Sequence, residues 1–371
     1  MKVIHIYKTY FPDTQGGIEE AIRQISRYTT NHGVENTLLT VSTHDPAVIE
    51  FPEAKVIRCK TSFDVKSTPM SLSFLYNFKK NIAHADILHF HFPWPFGEIN
   101  FLLCDPSKPS LVTYHSDIVK QKILKKFYNP FLKMFLRKVD LIIATSEQYL
   151  DTSLDLKPFR KKCKIIPLTI DSQRFEESDD ALNEIKKEYG EDFFLFVGQL
   201  RYYKGLDYLL EAMKSVNRKL VVVGKGSEEK RLRTKAKSLD LNNVVFAGYQ
   251  DDVYLPSFYK LCKAFVFPSC ERSEAFGMSL LEASLFAKPM ISTELGTGTS
   301  FINKHGETGI VIPPKNIEQL RHALILLSDN DEICKKYGQN ARNRFEKVFN
   351  SELIGQRYLL AYSEILKRHG K

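Results

Sequence analysis

The stretch AFVFPSCERSEAFGMSLLEASLFAKP, residues 264–289, decides the fold. An apolar run, AFVF, stops at a Pro-Ser pair, and a polar loop then leads into an apolar helical pattern from about Gly277 to Phe286. A strand, a loop and a helix in this order are the repeating unit of a parallel sheet. Glu274 is therefore predicted to lie in the loop at the carboxyl end of the strand, and Glu282 in the helix that follows.

The same alternation of strand and helix continues through both halves of the chain. Strands are predicted first at 2–7, 35–42, 54–59, 86–91, 110–115, 140–146 and 163–168, with helices at 17–32, 71–84 and 120–137. A polar, acidic segment at 172–190 reads as a linker, and a second series of strands follows at 193–198, 219–224, 243–248, 264–269, 289–293 and 308–314. For 371 residues this pattern predicts two doubly wound α/β domains with a helical tail, facing each other across a cleft.

The composition is that of a soluble globular protein, with 43% hydrophobic and 26% charged residues. The six cysteines are scattered without a CxxC pair, which argues against a structural zinc and for a reducing compartment. The start, MKVIHIY, has the pattern of a strand and not of a leader, and no window of 18 apolar residues occurs. We therefore expect a cytoplasmic protein.

The formal charge of +9 is concentrated in one segment, residues 119–138. This segment contains no acid, and its cations are Lys120, Lys122, Lys125, Lys126, Lys133, Arg137 and Lys138. Between them lie Ile123, Leu124, Phe127, Phe131, Leu132 and Phe135. The pattern is typical of a basic amphipathic helix on an anionic membrane surface, broken near Pro130. The alternative is a solvated helix that packs its apolar side on a sheet.

The loop after the first strand places Gly16 and Gly17 before a helix that begins near Ile18. Glycines allow the backbone to approach a ligand closely, and a helix N-terminus offers free amides to an anion. The spacing differs from GxGxxG, so NAD binding is not expected. The alternative is a loop whose glycines are needed for a positive φ.

Histidines follow two other predicted strands. His89 and His91 alternate with aromatic residues, so both are expected on one strand face, buried and hydrogen-bonded. His115 directly follows a strand, in TYHSD, and is expected at the mouth of the cleft.

A loop with two cations follows the first strand of the second series, in FVGQLRYYKG (196–205). Arg201 and Lys204 lie between Gly198 and Gly205, an arrangement suited to a diphosphate leaving group. In the opening stretch, Glu274 and the amides that follow it could hold one end of an elongated ligand while Glu282 holds another part. The alternative is a capping acid and a solvent-facing helical glutamate.

Taken together, these elements resemble the family-4 retaining glycosyltransferases. Their GT-B fold consists of two facing Rossmann-like domains with the active site between them. The Gly-Gly loop, the histidine of TYHSD, the strand-Gly…Lys-Gly element and the Glu-x7-Glu element occur in the expected order across nearly the whole chain. The resemblance implies an acceptor-side domain at 1–172, joined by a C-terminal helix from 352–371 that crosses back, and a donor-side domain at 173–351.

The resemblance also implies the roles of individual residues. Glu274 and the amides after it would hold hydroxyls of the transferred sugar, Glu282 the ribose hydroxyls, and the loop 248–252 would lie near the base. The implied catalytic residues are His115, Arg201, Lys204 and Glu274. The implied donor-binding residues are Gly16, Gly17, Gly198, Gln199, Lys225, Tyr249, Phe276, Gly277, Met278 and Glu282. No metal and no other cofactor are implied.

The chain departs from the family pattern at Gln199, where an arginine is usual, and Arg201 two residues later is the candidate replacement. In PLTID, Asp171 is retained from the usual Asn-Gly-Val-Asp. The segment 292–309 and TYHSD are similar to bacterial polysaccharide and O-antigen mannosyltransferases that use GDP-mannose.

The resemblance therefore implies transfer of mannose from GDP-mannose to a sugar hydroxyl, with retention of the α configuration. The expected acceptor is a growing polysaccharide of O-antigen type carried on a polyprenyl diphosphate, at the inner face of the membrane. The alternatives are a UDP-sugar donor (glucosyl, galactosyl or N-acetylhexosaminyl transfer), a sugar-nucleotide epimerase and a non-catalytic scaffold of a glycan-assembly complex. Nucleic acid is not an expected partner, because no basic residues alternate with aromatic residues on a predicted sheet face.

Overall fold

The computed structural model describes residues 1–65, 68–119, 122–176 and 178–370. The chain divides into two compact units. The first comprises Met1–Thr169 together with Asn350–Lys371, and the second comprises Ile170–Phe349.

The first unit contains an eight-stranded sheet and a separate two-stranded hairpin. Its strands are β1 (Lys2–Ile6), β2 (Glu35–Ser42), β3 (Ala47–Glu50), β4 (Lys55–Lys60), β5 (Phe63–Val65), β6 (Thr68–Met70), β7 (Ile87–Phe92), β8 (Ser110–Tyr114), β9 (Leu141–Ala144) and β10 (Cys163–Ile165). The sheet order is β10-β9-β8-β7-β1-β2-β4-β3, and β5 pairs with β6. The strand order reverses between β1 and β7, a place where open α/β sheets commonly bind ligands.

The second unit contains a six-stranded sheet whose described pairs are all parallel. Its strands are β11 (Phe193–Val197), β12 (Leu220–Val223), β13 (Val244–Gly248), β14 (Cys262–Phe267), β15 (Met290–Thr293) and β16 (Gly309–Ile312), in the order β13-β12-β11-β14-β15-β16. Runs such as FFLFV and LVVV are apolar on both faces because helices cover both sides of the sheet. The strand order reverses between β11 and β14, so the prediction of two doubly wound α/β domains is confirmed.

The helices lie between the strands and at the end of the chain. They are α1 (Gly17–Asn31), α2 (Leu72–Ile82), α3 (Pro95–Cys104), α4 (Lys122–Lys138), α5 (Glu147–Thr152), α6 (Asp179–Tyr189), α7 (Leu206–Met213), α8 (Glu229–Ser238), α9 (Leu255–Leu261), α10 (Met278–Leu285), α11 (Gly298–Ile302), α12 (Ile317–Asp329), α13 (Asp331–Arg344) and α14 (Ser351–Arg368). On α14, Ile354, Tyr358 and Tyr362 are buried in the core of the first unit with Val3 and Ile87. This packing makes the last helix part of the first unit.

Two expectations about local structure were wrong. Helix α4 continues through Pro130. Proline removes one N–H donor from a helix, but Pro130 and Lys126 are exposed, so water can solvate the carbonyl four residues earlier. The segment 172–190 is not only a linker, since it contains helix α6. Ser178 caps this helix, because its hydroxyl oxygen accepts a hydrogen bond from the backbone N–H of Ala181.

Among the residues that the structure describes, no helix has both the length and the apolar character needed to cross a membrane.

Candidate active site

The loops after β11 and β14 meet at the point where the strand order of the second unit reverses. Lys204 follows β11 and Glu274 follows β14, and Lys204 Nζ lies 2.6 Å from Glu274 Oε2. Both side chains are about nine-tenths buried, with 10% of each exposed. Ser269 Oγ donates a hydrogen bond to the same carboxylate oxygen at 3.1 Å. Two of the predicted site residues therefore form a buried ion pair at a typical ligand-binding position.

Gly205 brings these two loops together. Its φ is +71°, and a Cβ at this position would lie 1.9 Å from the carbonyl oxygen of Pro268. The loops are also joined by a backbone hydrogen bond of 2.7 Å from Cys270 N–H to Tyr203 C=O. Only glycine fits this close backbone contact, which holds Lys204 beside Glu274.

The N-terminus of α10 is the second part of the site. Phe276 is buried, Gly277 caps the helix with a φ of +97°, and Met278 is the first helical residue. The amides of a helix's first turn have no partner within the helix, so they can donate to an anion or a hydroxyl. Glu274 lies in the loop before this turn and Glu282 lies inside α10, as the sequence predicted.

Glu282 is buried, so the alternative that it is a solvent-facing helical glutamate is wrong. Tyr259 Oη donates a 2.7 Å hydrogen bond to Glu282 Oε2. Burial and the nearby Glu282 carboxylate raise the pKa of Tyr259, so its phenol stays protonated and donates. The sequence analysis did not anticipate Tyr259 or Ser269, each of which orients one of the two acids.

Arg201 lies on the surface of the loop after β11. Its Nε donates to Gln199 Oε1 at 3.3 Å, so the guanidinium lies beside the side chain at the position where the family usually has arginine. Lys225 and Tyr249 lie at the ends of β12 and β13, where both are exposed. Strands β12 and β13 are neighbours in the sheet, and a Cβ on Gly248, the residue before Tyr249, would lie 3.8 Å from Lys225 Cε. Lys225 and Tyr249 therefore follow neighbouring strand ends.

In the first unit, Gly16 and Gly17 begin α1 as predicted, but neither has a positive φ. The alternative that these glycines are needed for a positive φ is therefore wrong. A Cβ on Gly16 would lie 2.7 Å from Glu19 Oε2, and Thr14 donates to the other oxygen of this carboxylate at 2.7 Å. The amides at the start of α1 thus already have a carboxylate as their neighbour.

His115 follows β8 and is buried, with 3% exposed. Burial lowers the pKa of His115 to about 3, so the ring is neutral at physiological pH. His89 and His91 are buried on one face of β7, and both rings are hydrogen-bonded, which confirms the structural interpretation of these two residues.

Comparison with known proteins identifies the class of the chain. Residues 15–174 match the family described as Glycosyltransferase Family 4, and residues 177–344 match Glycosyl transferases group 1. O-antigen chain mannosyltransferase C of Escherichia coli is 41% identical over 368 residues, which are 99% of each chain. D-rhamnosyltransferase WbpZ of Pseudomonas aeruginosa is 41% identical over 353 residues, 95% of this chain and 93% of that protein.

A solved structure shows the same fold. Sucrose-phosphate synthase from Thermosynechococcus elongatus matches with a TM-score of 0.83 over 99% of both chains, at 23% sequence identity. Both units are doubly wound, and the relatives match this chain over almost its whole length. The chain belongs to the family-4 glycosyltransferases and has the GT-B fold.

Proposed function

We propose that the protein transfers mannose from GDP-mannose to a sugar hydroxyl of an O-antigen or related polysaccharide acceptor, with retention of the α configuration. The observation that carries this proposal is the 41% identity to O-antigen chain mannosyltransferase C over 99% of both chains. The acceptor is proposed to be carried on a polyprenyl diphosphate lipid at the cytoplasmic face of the membrane.

The buried ion pair supports this proposal because it holds the Lys204 ammonium group in a fixed position. Lys204 has three N–H donors, and only one is needed for Glu274, so the others can bind diphosphate oxygens. Arg201 adds a second cation beside Gln199. Fixed cations stabilise the negative charge that develops as the diphosphate leaves. No metal ion is part of the proposal, in which Lys204 and Arg201 are the two cations that face the diphosphate.

The proposed reaction takes place on one face of the sugar. The bond from the anomeric carbon to the diphosphate breaks as the acceptor hydroxyl forms a new bond on the same face. The acceptor's proton passes to the leaving phosphate oxygen, so no enzyme nucleophile is consumed. Glu274 and the first amides of α10 are proposed to hold sugar hydroxyls, while Glu282 holds the ribose and His115 contacts the sugar.

D-Rhamnosyl transfer is the second candidate. The identity to D-rhamnosyltransferase WbpZ is also 41%, over 353 residues. D-Rhamnose is 6-deoxymannose, so the two candidates differ in one hydroxyl of the donor sugar. A comparison of the two donors in the transfer assay separates them.

Nucleotide preference tests the donor assignment. Thermal unfolding is measured with GDP, UDP or ADP at one concentration, without added metal. A ligand that binds only the folded state stabilises it by mass action, so the order of the shifts reports the order of affinity. We expect GDP to give the largest shift. Lys204→Met should reduce this shift, and Lys237→Met on the exposed surface of α8 should not.

Each other outcome of this experiment has a definite meaning. A larger shift with UDP would keep the fold and the site but reject both mannosyl and rhamnosyl transfer from GDP donors. No shift with any nucleotide would contradict donor binding itself.

Helix α4 supports contact with an anionic membrane surface. One face, with Tyr128, Leu132 and Phe135, is buried in the unit. A second apolar stripe is exposed, with 75% of Ile123 and 75% of Phe127 accessible, and it continues through Phe131 and Met134. Both interpretations of the sequence are therefore supported, since the helix packs on the unit and also presents apolar and basic residues outward.

The choice of basic residues for a test follows from the structure. Lys125 already forms a 2.6 Å ion pair with Asp155. Lys120 and the side chain of Lys122 lie outside the described residues. Lys126, Lys133 and Arg137 are exposed on α4 and are the better choice for substitution.

Reversing these three charges is expected to weaken binding to anionic vesicles by at least about 100-fold, since each basic residue near such a surface contributes about 1 kcal/mol and three contribute about 3 kcal/mol. Co-sedimentation with phosphatidylglycerol vesicles is compared for wild type and the triple variant with Lys126, Lys133 and Arg137 changed to glutamate. The matched control changes Lys237, Lys335 and Lys336, exposed residues of the second unit, to glutamate. Equal losses in both variants, or no loss in the α4 variant, would reject α4 as the membrane contact.

A further inference from the structure

Four buried polar side chains form a row across one face of the first unit's sheet. Asn36 lies on β2, His5 on β1, His91 on β7, and His115 directly after β8, and these strands are neighbours in the order β8-β7-β1-β2. The parallel register pairs His5 with His89, and side chains two positions apart share a face, so the four side chains lie on the same side. Each of the four is at most 6% exposed.

Three hydrogen bonds of equal length connect the row. His5 Nε2 lies 3.1 Å from Asn36 Oδ1, and His5 Nδ1 lies 3.1 Å from His91 Nε2. His91 Nδ1 lies 3.1 Å from His115 Nε2. We call this set of four residues the histidine relay.

The orientation of the Asn36 amide determines the direction of the relay. Its Nδ2 donates to the carbonyl oxygen of Ser26 at 3.1 Å, and this oxygen can only accept. Nδ2 also bonds to Thr29 Oγ1 at 2.9 Å, and Thr29 donates its own hydroxyl proton to the carbonyl of Ile25. The oxygen of the Asn36 amide must therefore face His5, and His5 Nε2 must carry a proton.

The remaining protons follow from neutrality. Burial lowers the pKa of His5 to about 4 and lowers the pKa values of His91 and His115 as well, so each ring carries one N–H at neutral pH. With its proton on Nε2, His5 accepts at Nδ1 from His91 Nε2–H. His91 in turn accepts at Nδ1 from His115 Nε2–H. The proton of His115 is therefore on Nε2, and His115 Nδ1 carries an unshared lone pair that can accept a hydrogen bond.

His115 Nδ1 is the open end of the relay. It is a buried atom with no hydrogen-bond partner among the residues that the structure describes. We propose that Asn36, His5 and His91 are positioning residues that hold His115 in the Nε2–H tautomer, so that Nδ1 accepts a hydrogen bond from a ligand hydroxyl. Such a lone pair repels a phosphate oxygen, so His115 recognises the sugar and not the diphosphate. The choice of a sugar as ligand rests on the proposed function.

His89 lies beside the relay but does not belong to it. Its ring nitrogens bond to Tyr362 Oη and Thr113 Oγ1, both at 2.8 Å. Nitrogens of His5, His89 and His91 lie within 4.8 Å of one another, a spacing that could also suit a metal ion. Every ring nitrogen of these three residues already has a hydrogen bond within the protein, so the hydrogen bonds account for the cluster.

The tautomer is measured directly by long-range ¹H–¹⁵N NMR of histidine-labelled protein at neutral pH. We expect the His115 proton on Nε2 in the wild type. His91→Phe removes the acceptor of that proton, so we expect a mixture of tautomers at His115 in this variant. His89→Phe removes a buried ring from the same strand but not from the relay, and it should leave the His115 tautomer unchanged.

The kinetic expectation follows from the same argument. Loss of the hydrogen-bond partner that orients a metal-ligating histidine typically costs about 10-fold to 100-fold in affinity or activity, and by analogy we expect His91→Phe to lose kcat/KM by about this factor. The His115 proton on Nδ1 in the wild type, or an unchanged tautomer in His91→Phe, would overturn the proposal. The wild-type spectrum tests it even if His91→Phe does not fold. Because NMR requires no turnover, failure of the relay and failure of the proposed function give different results.

Discussion

Replacing Lys204 with methionine is expected to reduce transferase turnover by at least about 100-fold, the effect typical of losing one preorganised charge-stabilising group. Lys204 is held by Glu274 at 2.6 Å and lies over the ring of Phe267, with 4.6 Å from Nζ to the ring centroid. The Lys204 ammonium group is therefore held in place before the donor binds, and little energy is needed to reorient it when the diphosphate leaves. Steady-state kinetics with donor at saturation measure the loss in kcat.

The same substitution affects stability, and a second variant separates the two effects. Lys204→Met leaves the Glu274 carboxylate buried without its cation, which costs on the order of 3 kcal/mol. The double variant, with Lys204→Met and Glu274→Gln, removes both charges and should recover most of that stability without recovering turnover. Near-normal turnover of folded Lys204→Met protein would contradict the charge-stabilising role of Lys204. Lys204→Arg, which keeps a cation, should retain more activity than Lys204→Met.

Replacing Gly205 with alanine is expected to destabilise the second unit by at least about 3 kcal/mol, and the matched substitution at Gly306 by only about 1 kcal/mol. Both glycines have nearly the same positive φ, +71° and +73°. A Cβ on Gly205 meets the Pro268 carbonyl oxygen at 1.9 Å, whereas a Cβ on Gly306 has no described neighbour within 4 Å. The difference between the variants therefore reports mainly the close contact.

Urea unfolding of the two alanine variants checks this expectation. Because the contact holds the Lys204 loop against the loop of Glu274, Gly205→Ala should also lower donor affinity, while Gly306→Ala should not. Equal stability losses would mean that the β11 and β14 loops are not held by this contact.

The fold could be predicted because most of its strands are short apolar runs, and several of them are followed directly by glycine or proline. Strands β11 and β12 are apolar on both faces, which distinguishes a covered parallel sheet from a half-exposed one. The sequence analysis missed β3, whose residues alternate between half-buried and exposed, and the exposed strand β5. Such edge elements bury little apolar surface and leave a weak pattern.

The site could be predicted only in part, because its contacts join distant segments. The sequence placed Glu274 in a loop and Glu282 in a helix, as found. It did not show that Lys204 pairs with Glu274, since this contact depends on β11 and β14 being neighbours across the reversal of strand order. His5 looked like any polar residue in an apolar strand until the order of β8, β7, β1 and β2 was known.

The most direct test of the proposed function is the transfer reaction itself. The purified protein is incubated with lipid-linked polysaccharide acceptor and, in parallel, with GDP-mannose, GDP-D-rhamnose or UDP-glucose. The anomeric configuration of the product is then read by NMR. We predict preferential transfer from GDP-mannose and an α-linked product. Preferential transfer from either of the other donors, or a β-linked product, would contradict the assignment of the protein as a retaining mannosyltransferase.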